Sequence, residues 1–159
     1  MPHPCLIIGI GNRDRGDDAV GRIVADQLRE RVQPPAAVIE SDGEATGLVD
    51  RLGTADTAIL VDAALSGGPP GSIRRFDVAD GLPQLGRVGL STHGFGLAEA
   101  IELAQIFGRL PRRCIVFAVE ARSFAIGDPL SREVADAVEA TVVRVLEEAA
   151  ALTREAIHA

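Results

Sequence analysis

The sequence predicts one α/β domain, a three-layer α/β/α sandwich around a mostly parallel sheet, and three observations carry that expectation. Apolar, β-branched runs without alternation recur at residues 5–10, 58–63 and 114–119, the pattern of strands covered on both faces. Segments with helical periodicity separate them, which is the alternation that produces parallel sheets with helices on either side. The chain has 159 residues, room for one buried core but not for two independent ones, so residues 1–159 read as a single domain.

The first strand, CLIIGI, closes at Gly9, Gly11 and Asn12. After a charged loop, residues 17–32 put Val20, Ile23, Val24, Leu28 and Val32 on one helical face, and Pro34 and Pro35 stop that helix. Residues 37–40 read as a second short strand before the turn residues Ser41, Asp42 and Gly43, and a short helix follows over 45–52. The strand at 58–63 carries Asp62 near its end. Beyond the turn-rich SGGPPGS, residues 73–78 include Arg74 and Arg75, as expected of an exposed edge strand, here one running antiparallel. A helix is expected from about Ser91, with Leu97, Ile101, Leu103, Ala104 and Phe107 on its apolar side and Gly108 as its stop. After the strand at 114–119, Asp128 or Ser131 introduces a terminal helix with Val134, Val138, Val142, Val145 and Leu146 on its buried side. In such folds ligands gather beyond the carboxyl ends of the strands.

Composition removes several function classes. A formal net charge of -7 repels phosphate backbones and anionic membranes, and with aromatics at 3% the stacking platforms of single-strand binders are missing. All 16 basic residues are arginines, so no lysine is available for a Schiff base or a phosphate-binding loop. No apolar run reaches the roughly 20 residues of a membrane span, and MPHPCLIIGIGN lacks a basic leader, so the expected address is the cytoplasm. Cys5 and Cys114 fall inside strand-like runs and read as reduced packing thiols.

The chemistry-bearing candidates are few. Gly9-Ile10-Gly11 invites a dinucleotide-binding reading, but Asp14 stands where the third glycine is required, and Asp17 and Asp18 would crowd a pyrophosphate. Asp17 and Asp18 occupy a helix start, where Asp17 is expected to cap and Asp18 to favour the dipole. Asp62, flanked by apolar residues at a strand end, carries a desolvation cost that a cationic partner would offset. His93, in Ser91-Thr92-His93-Gly94-Phe95-Gly96, is the one histidine away from the chain ends. Asp18, Asp62 and His93 each adjoin an element whose relevant end belongs on the same sheet edge. Two carboxylates and an imidazole make a partial shell for a divalent transition metal.

Read in order, Gly9-Ile10-Gly11-Asn12, Gly16-Asp17-Asp18-Ala19-Val20-Gly21, Asp62-Ala63 and Ser91-Thr92-His93-Gly94-Phe95-Gly96-Leu97 resemble the motifs of the nickel-iron hydrogenase maturation endopeptidases, over nearly the whole chain. The resemblance implies a five-stranded twisted sheet with one antiparallel strand. It also implies that Asp18, Asp62 and His93 are the active residues, touching nickel already loaded into a hydrogenase large-subunit precursor. The nickel then belongs to the substrate, and the activity is removal of a carboxyl-terminal extension from that precursor. Asp42-Gly43 resembles a further family loop, but Glu44 and Ala45 replace its usual glycine and threonine, so no role is carried over to Asp42. With no convincing side-chain nucleophile, an activated water is the expected attacking group. Two other readings stand beside it: a non-catalytic metal-sensing chaperone for the precursor, which would use the same three residues, and a related peptidase of similar fold acting on another precursor. A monomer without nucleic-acid or membrane partners is expected.

Overall fold

The computed structural model describes residues 3–81 and 96–158. Five strands form one sheet in the order β2-β1-β3-β5-β4, where β1 is Cys5–Ile10, β2 Ala36–Ser41, β3 Thr57–Ala64, β4 Ile73–Asp77 and β5 Arg113–Glu120. The pairs β1–β2, β1–β3 and β3–β5 are parallel, whereas β4 runs antiparallel on β5 at the sheet's edge. The three apolar runs become the three central strands, each buried along almost its whole length. Their backbone groups are satisfied on both sides by neighbouring strands, so side chains of either parity can be apolar.

Among the described residues, two helices cover each face. On one, α1 (Val20–Arg31) and the terminal helix α4 (Arg132–Ile157) bury Val20, Val24, Leu28, Val134, Val138, Val142 and Val145 against Ile7, Ile59, Val61 and Phe117. On the other, α2 (Ala45–Leu52) and α3 (Leu97–Ile106) bury Leu48, Leu52, Leu97 and Ile101 against Leu6, Ile8, Leu60 and Val116. The opposed parities of Ile59 and Leu60 show one pleated strand feeding both layers.

Two expectations differ from the fold. The first helix does not start at Asp17: a 3-10 turn over Gly16–Ala19 precedes α1, and neither start carries a side-chain cap. Phe107 lies past the end of α3 and is 65% exposed, so it does not join that helix's buried side. Of the two introductions weighed for the terminal helix, Ser131 holds the N-cap position. The onset expected near Ser91 lies outside the described residues, and the described helix begins at Leu97.

Candidate active site

The site is built where β1 and β3 end side by side. Their register runs through Gly9↔Val61, so Asp62 follows directly at the carboxyl edge. Asp62 is fully buried, and its Oδ1 accepts the N–H of Ala63 at 2.8 Å. Alternation places it on the same face as Leu60, the face covered by α2 and α3.

Asp18 reaches this edge because two glycines let the chain fold tightly over the strand tips. Gly11 has φ 149°, and a side chain there would run into the carbonyl oxygen of Asp18. A Cβ on Gly21 would collide with the Ile10 carbonyl and lie 2.6 Å from that of Val61, so the first turn of α1 rests directly on the ends of β1 and β3. Asn12 N–H donates to the Asp18 carbonyl at 3.2 Å and Asp18 N–H to that of Arg15 at 3.0 Å, fixing the turn from both sides. Asp18 is 1% exposed.

Asp17 is equally buried, but it faces other partners. Its Oδ2 accepts from Arg122 N–H (2.8 Å), Ser123 N–H (3.2 Å) and the Ser131 hydroxyl (2.9 Å), and its Oδ1 from Ser131 N–H (2.6 Å). The expected cap of the first helix therefore anchors the β5–α4 loop and the start of α4 instead.

The third expected residue, His93, lies outside the described residues. Gly53, after α2, packs on Arg109, after α3, with a Cβ position 2.7 Å from the Arg109 Nη1. The two neighbouring helices therefore end together, and α3, like α2, starts from the carboxyl edge. Among the described residues, no group of three His, Cys, Asp or Glu side chains is placed to hold a metal ion; the two described members of the expected trio, Asp18 and Asp62, share the edge.

Glu120 is a site-edge residue that sequence reasoning missed. It is 2% exposed, and the pairs Asp62↔Ala118 and Ala64↔Glu120 put it on Asp62's face of the sheet. It accepts Ser66 N–H at 2.8 Å and the Ser66 hydroxyl, with Arg74 at 3.8 Å, and so pins the chain leaving β3. The signal was present: an acid ending the apolar VFAVE repeats the situation of Asp62 in ILVDA.

The remaining candidates sit apart. Asp42 is exposed, its Oδ1 accepts Glu44 N–H at 2.9 Å, and it lines a cleft of about 280 Å³ with Arg22, Glu40 and Arg51. Glu44 caps α2 by accepting Thr46 and Gly47 N–H at 3.0 and 2.8 Å. Both thiols are buried. Burial raises the Cys5 thiol's pKa against a lowering contact from Thr57, and burial with the nearby Asp77 charge pushes Cys114 up to about 12. Neither offers a thiolate at neutral pH.

With this geometry in place, comparison with known proteins is decisive. The sequence model of the HycI hydrogenase maturation protease family matches residues 23–148. The chain belongs to that family. Among its relatives is the hydrogenase 2 maturation protease of Escherichia coli, 27% identical over an alignment that spans 96% of this chain and 98% of that one. The hydrogenase expression/formation protein HupD of Thiocapsa roseopersicina is 32% identical over 118 residues, 72% of this chain. There the match spans about half of the relative's length, 53%. The crystal structure of a hydrogenase 2 maturation peptidase from a Thaumarchaeota archaeon superimposes with a TM-score of 0.65 at 30% identity, covering 91% of this chain and 97% of that one. The HybD endopeptidase of Escherichia coli shares the fold, with a TM-score of 0.76 at 24% identity over 96% of this chain and 93% of its own. The five-stranded sheet with one antiparallel edge pair is the architecture that the sequence resemblance implied.

Proposed function

We propose that this protein is an endopeptidase that removes the carboxyl-terminal extension of a nickel-loaded [NiFe] hydrogenase large-subunit precursor, with Asp18, Asp62 and His93 contacting the nickel. The metal is part of the substrate, and the protein works as a cytoplasmic monomer. Family membership supports the reaction class, and a relative from Thermococcus kodakarensis, 26% identical, is named a [NiFe] hydrogenase maturation protease.

One observation carries the assignment of residues. Asp62 is wholly buried at the carboxyl end of a central strand, beside the tight turn that holds Asp18, also buried. Carboxylates are expensive to bury, and at a sheet's carboxyl edge, where α/β folds bind ligands, such groups suit a divalent ion. Nickel accepts both carboxylate and imidazole. Reading the metal makes cleavage conditional on completed loading, since an empty precursor offers nothing to those ligands.

Both thiols are buried, and a water activated by a carboxylate or by the substrate's nickel is the nucleophile. Its oxygen bonds to the scissile carbonyl carbon while one proton passes to the activating base. The C–N bond then breaks and the leaving amine takes a proton up.

The test is to incubate the protein with nickel-loaded and metal-free precursor and to weigh both by mass spectrometry. Loss of the extension from the loaded form alone is expected. Asp62→Asn should abolish that loss while the circular dichroism of the folded protein stays unchanged; normal processing by this variant removes Asp62 from the site. Tight binding of loaded precursor with no mass change would make the protein a non-catalytic chaperone.

A further inference from the structure

We infer that Asp17 is a positioning residue for Asp18, clamping the turn that presents Asp18 to the substrate's nickel onto the β5–α4 loop. The inference rests on the reading of Asp18 proposed above and extends it to a residue outside the ligand set.

A buried carboxylate can be retained only when its charge is met. Among the described residues the Asp17 charge is met by three backbone N–H groups and one hydroxyl, while the neighbouring Arg122 guanidinium is bound to Glu133 at 2.6 Å. Two of the four donors come from Ser131, the residue before the first turn of the 26-residue α4, so the anion also sits at the positive end of that helix. The backbone adds to the clamp, since Asp17 N–H donates to the Ser123 carbonyl at 3.0 Å. One turn further back, Gly127 N–H donates to the Asp14 carbonyl at 2.8 Å. The 3-10 turn is thus bonded to a loop more than a hundred residues away in sequence.

Such a clamp fixes its neighbour. A 3-10 turn advances about 120° per residue, so with Asp17 locked toward the β5–α4 loop, the direction in which residue 18 leaves the turn is set as well. On the opposite side, the Gly11 approach leaves the turn no room to slide along β1. Residues that orient a metal ligand typically influence affinity by about 10–100-fold when removed.

Asp17→Asn replaces one acceptor oxygen by an NH₂ that must face N–H donors. The readout is the ratio of affinities for nickel-loaded and metal-free precursor, measured by calorimetry alongside the thermal unfolding midpoint. A positioning role narrows the ratio about tenfold at temperatures where the variant is fully folded. A purely structural role weakens both affinities alike and leaves the ratio at the wild-type value, which overturns the inference. Asp18→Asn separates the two levels of the argument: if it leaves the ratio unchanged, Asp18 does not read nickel and the functional assignment fails first. If Asp18→Asn narrows the ratio and Asp17→Asn does not, only the positioning role is lost. Should Asp17→Asn not fold, Ser131→Ala, which removes the hydroxyl donor alone, carries the test, and a two- to fivefold narrowing is expected; an unchanged ratio counts against the clamp.

Discussion

Asp17 and Asp18 are adjacent, chemically identical and equally buried, yet their surroundings assign them different work: one carboxylate is enclosed by donors from the β5–α4 loop, and the other belongs to the turn pressed on the tip of β1. Nothing in the local sequence separates them, because the donors to Asp17 come from Arg122, Ser123 and Ser131, far along the chain. The thiols are the opposite case, legible from their neighbours alone. Cys5 and Cys114 lie within apolar runs and are 1% and 3% exposed. Burial raises both pKa values, that of Cys114 with help from Asp77, so the thiolates needed for thiol–disulfide exchange are scarce as well as inaccessible. Native protein at pH 8 should therefore leave both cysteines unmodified by a chromogenic disulfide reagent, and denaturant should release two equivalents. A cysteine reacting at the rate of a free thiol in the native state would reopen the possibility of a side-chain nucleophile. The Cys5→Ala, Cys114→Ala double variant should process precursor at the wild-type rate, as measured by mass.

At the scale of elements, α1 is held to the sheet by the absence of a side chain. Gly21 rests on the carbonyls of Ile10 and Val61, so Gly21→Ala inserts a methyl group where backbone already lies. Overpacking of this kind costs typically 1–3 kcal/mol, and about that loss is expected in urea unfolding. Processing should fall as well, because the helix can relieve the clash only by lifting off the strand ends that neighbour Asp18 and Asp62. The opposite end of β2 from Ala36 is fixed by charge. Glu40 bonds Arg29 at 2.6 Å and Arg13 at 2.5 Å, with Arg22 at 3.4 Å. Burial raises its pKa, but the Arg29 and Arg13 contacts outweigh that and leave it below the ordinary value of 4.5. A depressed carboxylate stabilises the fold above its unfolded pKa and ceases to do so as pH falls through the folded one. The stability difference between wild type and Glu40→Gln should therefore be widest near neutrality, shrink below about pH 4.5 and weaken in high salt. Since Arg13 and Arg29, which make the two short contacts, are 45% and 40% exposed, the difference should be at most about 1 kcal/mol. A gap that grew on acidification would contradict the sign.

For the molecule as a whole, the sequence revealed what burial writes locally and concealed what depends on distant partners. The central strands and the faces of α1 and α4 were legible because covered parallel strands and amphipathic helices carry distinct periodicities. The edge position of β4 was legible in Arg74 and Arg75, both exposed. Helix ends were harder: Phe107 continues the apolar rhythm of α3 but stands past its last turn, where no layer covers it. Asp18 and Asp62 stand in motifs that mark them in the sequence, whereas Glu120 has the same strand-end signature as Asp62 but belongs to no motif. This division bears on the metal. The fold closes over two continuous apolar layers, one on each side of the sheet, and under the proposed function the nickel arrives with the precursor, so the protein alone should be indifferent to chelation. A resident ion held at a hundred times its dissociation constant would contribute about 2.7 kcal/mol, and its removal from a domain of this size would lower the unfolding midpoint by roughly 5–10 °C. Excess chelator should produce no such shift, and protein freed of chelator by gel filtration should still process nickel-loaded precursor at its original rate. A midpoint that drops on chelation and recovers with added Ni²⁺ would place the ion in the protein itself and remove the basis for treating it as a mark carried by the substrate.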